Sequence, residues 1–282
     1  MSPTSSLTTI MITGATDGLG RALALRLAAP DTLLILHGRS AERAAEVQRQ
    51  VRAAGGAAEV RLADLADLHQ VDRLADTVLA GFDRLDVLVN NAGIGFGAPG
   101  TGRQESADGI ELRFAVNYLA GYRLTERLLP RLAESPGGAA RIVNVASAGQ
   151  EPIDFADPQL SKAYDGAVAY RRSKLAQITA TYDLADRLAA DNRPVTVNAL
   201  HPASLMATTM VQEAGVTPWS TVEQGLEATL RLVTGAAGAN SGRYYNGTQE
   251  ARADAQAYDP EARARLRALS EELVTEALGR AS

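Results

Sequence analysis

The stretch Thr9-Ile10-Met11-Ile12-Thr13-Gly14-Ala15-Thr16-Asp17-Gly18-Leu19-Gly20 decides the fold. It opens as a short apolar strand, breaks at glycine and passes at once into a helical pattern. Gly14 allows a tight turn, and Gly18 and Gly20 leave room for a pyrophosphate to approach backbone N–H groups at a helix N-terminus. The spacing is G-x3-G-x-G rather than the commoner G-x-G-x-x-G. Three glycines alone fit a turn without a ligand equally well. Their position between a first strand and a first helix turns the reading toward a nucleotide site.

Outward from this stretch, strand-length apolar runs alternate with helix-length amphipathic runs. Thr9–Thr13, Thr32–His37, Glu59–Leu62, Asp86–Asn90, Arg141–Ala146 and Val195–Leu200 read as strands. Leu19–Ala28, Ala41–Ala54, Gln70–Ala80, Gly109–Leu132 and Ala167–Ala190 read as helices. Continuous rather than alternating apolar runs indicate a parallel sheet covered on both faces. The fold class is therefore α/β, one doubly wound Rossmann-type domain over residues 1–282 with about seven strands. A last strand is expected from Ser241-Gly242-Arg243-Tyr244-Tyr245. An amphipathic helix is expected over Pro260–Gly279 with Leu266, Leu269, Leu273 and Leu278 inward, either a surface helix or a contact for a partner or membrane surface. Ligands in such sheets bind beyond the carboxyl ends of the strands.

Composition narrows the function. The chain has 282 residues, a formal charge of −5 and no cysteine. A net acidic chain argues against a nucleic-acid partner, and the missing cysteine excludes disulfides, thiolate metal sites and thiol nucleophiles. No metal site is expected. Met1–Thr9 lacks a basic segment followed by an apolar one, and no apolar run approaches the ~20 residues that span a bilayer. The expectation is a soluble, cytoplasmic protein with no membrane span.

The strand ends carry the chemistry. After the second strand comes His37-Gly38-Arg39-Ser40, with no acid for a ribose 2′-hydroxyl; an arginine here suits the 2′-phosphate of NADP. Arg39 also reads as a solvated surface residue, and Ser40 as a phosphate ligand or as an N-cap. Asp64-Leu65 after the third strand suits an adenine amino group or a turn. Asn90-Asn91-Ala92-Gly93 can tie strands together and bring backbone close to a ligand, and Gly95–Gly102 reads as a loop over the cleft. Asn117 lies among apolar neighbours and needs partners. Ser147 ends the fifth strand. Tyr170 and Lys174 stand at i and i+4 on one helix face. A phenol working near neutrality needs about 3–4 kcal/mol of preference for phenolate, and a fixed cation supplies part of it.

Taken together, these residues resemble the short-chain dehydrogenase/reductase family, NADP-preferring, on its retinol-dehydrogenase-like branch. The resemblance runs from about Thr9 to Gly247 and rests on Thr13-Gly14 through Gly20, Asn90-Asn91-Ala92-Gly93, Asn117, Ser147, Tyr170-x-x-Ser173-Lys174 and His201-Pro202. It implies an NADP(H)-dependent oxidoreductase interconverting a small-molecule carbonyl and an alcohol. Tyr170 would be the general acid/base and Ser147 would steady the substrate oxygen. Lys174 would hold the nicotinamide ribose and lower the Tyr170 pKa, and Asn117 would place a water linking Lys174 to solvent. Gly14, Thr16, Asp17, Gly18, Leu19, Gly20, Arg39, Ser40, Asp64, Leu65, Asn91, Ala92, Gly93, Tyr170, Lys174 and Pro202 would contact the cofactor. Relatives often form homo-oligomers through the helices that carry Asn117 and Tyr170.

Three features depart from the family pattern. Ser147 and Tyr170 are more widely separated than usual, and the intervening Gln150–Asp165, with Pro152 and Pro158, resembles the longer loop of the retinol-dehydrogenase-like branch, which would wall the substrate site. Pro202-Ala203 replaces Pro-Gly, a cost of about 1 kcal/mol if that turn needs a positive φ. Ala146-Ser147 replaces a common Ser-Ser. Residues 203–220, with Met206, Met210, Val211 and Trp219, would form a substrate lid, or a short helix packed on the core. Two other functions share the scaffold: a non-redox step such as dehydration or cyclisation, and cofactor binding without turnover.

Overall fold

The apolar run Thr8–Ile12 (β1) is buried from its second residue on and forms the centre of a sheet. The computed structural model describes residues 7–98, 100–138, 140–209, 211, 215 and 217–279. Alternation continues as the sequence predicts: Gly18–Arg26 (α1), Thr32–Gly38 (β2), Ala41–Ala53 (α2), Ala57–Leu62 (β3), Leu68–Gly81 (α3) and Val87–Asn90 (β4). A wide π-type turn over Phe114–Leu119 then leads into Ala120–Ala133 (α4), followed by Ala140–Val145 (β5), Gly166–Ala190 (α5) and Val195–His201 (β6). Val222–Val233 (α6), Arg243–Asn246 (β7), Gln249–Glu250 (β8) and Pro260–Gly279 (α7) complete it. The strand order is β3-β2-β1-β4-β5-β6-β7-β8. The seven strands β1 to β7 are parallel, and β8 adds a short antiparallel edge. The order reverses between β1 and β4, which opens the ligand crevice of a doubly wound sheet.

Two layers cover the sheet. Leu19, Leu23, Val47, Val51, Leu226 and Leu232, from α1, α2 and α6, share a core with Ile10, Ile12, Leu34 and Leu36. On the other face Leu74, Val78, Leu124, Leu128 and Leu188, from α3, α4 and α5, pack on Met11, Ile35, Leu88 and Ile142. The expected helix from Gly109 begins later, because Gly109 has φ +77 and the regular turn starts where Glu111 accepts from Phe114 N (2.8 Å). The helix α6 was not expected; Thr221 and Gln224 close a capping box that starts it.

The C-terminal helix α7 turns Leu266, Leu273 and Val274 into the second core, with Leu269 and Leu278 against it. It crosses the outer face of the α3–α4–α5 layer. There Tyr118 Oη meets Ser270 Oγ at 2.7 Å, and Arg267 and Arg263 pair with Asp183 and Asp186 of α5. The flank through which relatives were expected to pair thus carries this helix. Among the described residues no helix is long and apolar enough to cross a membrane.

The strand ends on the crevice side are laced together. Thr13 Oγ1 accepts from the N–H groups of both Asn91 (2.9 Å) and Ala92 (3.0 Å), while Asn91 Nδ2 donates to Thr13 O and Gly14 O. His37, 2% exposed, bridges the turn after β1 to the end of β3: its Nδ1 accepts from Gly14 N and its Nε2 faces Ala63 O at 3.1 Å. The imidazole is therefore neutral, with the proton on Nε2. Burial pushes its pKa down to about 4.

Two outcomes test this framework. The unfolded chain takes up a proton at His37 near pH 6.5, whereas the folded chain resists until about pH 4. The contribution is complete above pH 6.5 and lost as pH falls toward 4, by up to roughly 3 kcal/mol. Urea unfolding of His37→Gln, followed across that window, is expected to show a shallower fall than the parent. Ser270→Val leaves the buried Tyr118 hydroxyl without its partner, and is expected to lower the unfolding free energy by about 1–3 kcal/mol.

Candidate functional site

The dinucleotide corner is built from the turn after β1. Gly14 (φ +64) and Gly18 (φ +47) occupy left-handed conformations that side-chain-bearing residues rarely adopt. Asp17 caps α1, accepting from Gly18 N at 2.7 Å, and its other oxygen accepts from Thr209 Oγ1. Leu19 and Gly20 follow in the first helical turn, where N–H groups lack intrahelical acceptors. The Leu19 side chain itself lies in the core. Gly20 differs from expectation. A Cβ there would stand 2.2 Å from Gly14 O and 2.5 Å from Asn91 Nδ2, so its missing side chain makes room for protein rather than ligand.

Gly38 ends β2 against Thr16, where a Cβ would meet Thr16 Cγ2 at 2.4 Å. A side chain at position 38 would have to displace that of Thr16. Arg39 is exposed, and among the described residues it makes no hydrogen bond or ion pair. Ser40 acts as N-cap, accepting from Arg43 N at 3.3 Å. Arg43, overlooked in the sequence, lies 3.6 Å from Asp17 and brings a second guanidinium to this corner. Asp64 closes a turn through Ala66 N (3.0 Å). The Leu65 side chain is buried in the core, which leaves only its backbone at the strand end. Asn90 ties β4 to β5 through Asn144 (2.9 Å). Pro202 is buried beside Met206 and Gly225.

The reactive centre gathers at the end of β5. Asp165 caps α5, accepting from Ala167 N and Val168 N, and this sets Tyr170 and Lys174 on the inner helix face. Lys174 Nζ lies 5.8 Å from the Tyr170 ring centroid and donates to Val145 O (2.9 Å) and Gln177 Oε1 (3.0 Å). Lys174 is 4% exposed, and burial pushes its pKa down to about 7. The Ser147 hydroxyl faces the Tyr170 side chain and favours its ionised form. Gly149 N donates to that hydroxyl, and the Ser147 carbonyl accepts from Tyr244 Oη at 3.0 Å. Burial raises the Tyr170 pKa, and Ser147 opposes that rise. The Lys174 ammonium bonds to two neutral oxygens and lies over the Tyr170 ring.

Asn117 ties two segments together through its side chain. Its Oδ1 accepts from Ile94 N (2.7 Å), and its Nδ2 donates to both Ile94 O and Ser173 Oγ. Both amide protons are spent on protein, so the side chain fastens the β4 end to α5. Gly93 lies over the pair: a Cβ there would stand 3.2 Å from Asn117 Oδ1 and 3.5 Å from Lys174 Nζ. His201 is buried with its Nε2 3.0 Å from Ser204 Oγ, and burial lowers its pKa.

Two further segments, the insertion Gln150–Asp165 and residues 203–220, are fixed by hydrogen bonds and ion pairs. Gln150–Asp165 holds no regular element, yet it is pinned by Glu151 to Arg171 and by Ile153 to the Gln256 amide, which both accepts from Ile153 N and donates to its carbonyl. After Pro202 the turn needs no positive φ at Ala203; the left-handed residue is Leu205 (φ 45). The lid base is closed by Trp219 N donating to Leu205 O and Ala207 N donating to Ser220 O. Met206 packs on the core, Trp219 is 79% exposed, and Met210 lies outside the described residues. Gln177 and Tyr244, which fix Lys174 and the Ser147 carbonyl, were not singled out in the sequence. Gln177, three residues past Lys174 on one helix, was readable there; Tyr244 carried no local signal.

A family model described as short chain dehydrogenase matches residues 8–218. Mouse retinol dehydrogenase 14 is 40% identical over 208 residues, covering 69% of this chain and 60% of that protein. A solved structure of a Mycobacterium Paratuberculosis protein superposes with TM-score 0.78 at 30% identity, covering 97% of this chain and 95% of that one. The Pseudomonas aeruginosa RhlG/NADP active-site complex superposes with TM-score 0.68 at 26% identity, over 87% of this chain and 97% of that one. The chain spans about 60% of the length of the retinol dehydrogenases 14 it matches. With the family's motif positions gathered around one crevice and most of the chain matched, the chain belongs to the short chain dehydrogenase family, on its retinol-dehydrogenase-like branch.

Proposed function

We propose that this chain is an NADP(H)-dependent oxidoreductase that interconverts a carbonyl and an alcohol by hydride transfer, with Tyr170 as general acid/base. The observation that carries the reading is the meeting of Ser147, at the end of β5, with Tyr170, whose ring lies 5.8 Å from the buried Lys174 ammonium. The first turn of α1 would hold the pyrophosphate, Arg39 and Arg43 the 2′-phosphate, and Lys174 the nicotinamide ribose. Two features support NADP over NAD: the exposed guanidinium of Arg39, and Thr16 filling the space that an acid at position 38 would need. RhlG, a related fold, was solved with NADP.

The bound dinucleotide supplies a hydride equivalent. In the reductive direction, negative charge would develop on the substrate oxygen as its carbon is reduced. Ser147 donates a hydrogen bond to the oxygen as charge develops, and Tyr170 delivers the proton. The Lys174 ammonium favours the resulting phenolate electrostatically. The similarity to a retinol dehydrogenase points to an apolar alcohol or aldehyde as substrate.

Incubation with NADPH and a panel of carbonyl compounds, read as absorbance loss at 340 nm, tests the redox step; binding of NADPH without oxidation across the panel would oppose it. Tyr170→Phe is expected to lower kcat by roughly 10²- to 10⁴-fold, the usual contribution of a positioned acid, with NADPH affinity unchanged. Equal activity would remove Tyr170 from the mechanism. Arg39→Asp is expected to lower the ratio of kcat/KM for NADPH over NADH by about 10- to 100-fold, the loss of a charge-assisted phosphate contact. An unchanged ratio would place the 2′-phosphate elsewhere.

A further inference from the structure

Two charged side chains outside the catalytic set are almost wholly buried: Glu111 is 1% exposed and Arg113 2%. They pair at 3.5 Å. Burying an ion pair costs desolvation that only further hydrogen bonds can offset, and here those bonds all lead to the rim of the crevice. Arg113 Nη1 donates to Tyr164 Oη (2.7 Å) and Nε donates to Gly95 O (3.2 Å). The Arg113 Nη2 group fills the space beside Gly97, where a Cβ would lie 2.7 Å from it. Tyr164 donates onward to Glu111 Oε1 (3.1 Å). Glu111 Oε2 caps the turn that carries Asn117, and Glu111 N donates to Gln159 Oε1 (3.0 Å). Burial and the Glu111 carboxylate push the Tyr164 phenol up to about 12, so it remains a donor near neutrality.

One ion pair therefore joins three separate segments: the loop after β4, the start of the π-type turn, and the insertion through Gln159 and Tyr164. Phe96 sits between Gly95, whose carbonyl accepts from Arg113, and Gly97, which lies beside the Arg113 Nη2 group. Its carbonyl packs on the first residue of α5, where a Cβ at Gly166 would stand 2.3 Å from it. Its ring meets the Tyr170 ring edge-on, with centroids 6.1 Å apart and planes at 83°. Arg113 thus holds the loop backbone at the residue before Phe96, whose ring touches the proposed acid/base.

We infer that Arg113, held by Glu111 and Tyr164, is a positioning residue that fixes Phe96 against Tyr170, making Phe96 a substrate-selecting wall set before any substrate arrives. The inference rests on the reading of Tyr170 as acid/base. A fixed aromatic wall beside the reacting oxygen favours a carbonyl whose neighbouring group is flat and apolar, such as a conjugated aldehyde. Substrates lacking that group gain nothing from it.

Tyr164→Phe removes the hydroxyl that links Arg113 to Glu111 while keeping the ring. Amide hydrogen exchange over residues 94–98 is expected to speed up in this variant while exchange in β1 and β4 stays as in the parent. KM for cinnamaldehyde is expected to rise roughly three- to tenfold, the effect of one or two lost hydrogen bonds, with KM for propanal and NADPH affinity unchanged. In a Phe96→Ala background the same substitution is expected to leave KM for cinnamaldehyde unaltered, because the element it positions is gone. Unchanged exchange at 94–98, an equal rise in KM for both aldehydes, or a full effect without Phe96 would each overturn the inference. If the parent oxidises NADPH with neither aldehyde, the proposed preference for a conjugated aldehyde is overturned, and the exchange measurement still decides whether Arg113 holds Phe96. Should Tyr164→Phe fail to fold, Glu111→Gln, which keeps an acceptor for Phe114 N, is expected to give the same loosening.

Discussion

The buried ammonium of Lys174 is the constraint on which the rest of the site depends. An unpaired cation deep in a protein costs several kcal/mol, and here its hydrogen-bond partners are two neutral oxygens, Val145 O and Gln177 Oε1. That arrangement holds only if β5 ends at Val145 and α5 runs straight past it. The cap at Asp165 and the Asn117–Ser173 bond secure the second condition. The depressed pKa of Lys174 records how little charge compensation the protein provides. A ligand offering hydroxyl oxygens would satisfy the remaining valence of the ammonium.

Around this group, much of what resembles ligand-binding chemistry is spent on the protein itself. Gly20 admits Gly14 O and Asn91, Gly38 admits Thr16, and Asn117 uses both amide protons on its neighbours. Thr13 and Asn91 lace β1 to β4 across the switch point, where a parallel sheet would otherwise have only its ladder bonds. The crevice is thus held open by short polar ties rather than by bulk. His37 extends the same lacing to β3.

These observations separate what local sequence reveals from what it does not. Strand positions were legible to within a residue or two because buried parallel strands are continuous apolar runs, and the Tyr170–Lys174 face was legible because helical spacing is fixed. Side-chain destination was less so. Leu65 follows a strand end like its neighbour Asp64, yet only the tertiary fold tells that it turns inward. The capping box at Thr221 and Gln224 was present in the sequence and marks α6. The Arg113–Glu111–Tyr164 cluster left no local trace, since Tyr164 lies 51 residues from Arg113 and 53 from Glu111 along the chain. The late start of α4 likewise depends on a buried carboxylate, not on propensity.

The helix α7, tied to α5 by two arginine–aspartate pairs and to the π-type turn by the Tyr118–Ser270 contact, has a consequence for self-association. A segment tethered by a few residues confronts its docking face at an effective concentration on the order of millimolar. A second copy of the chain at micromolar levels competes against that tether for the same flank and must evict a helix already bonded there. On this flank the chain's own C-terminal helix occupies the surface that a partner would need.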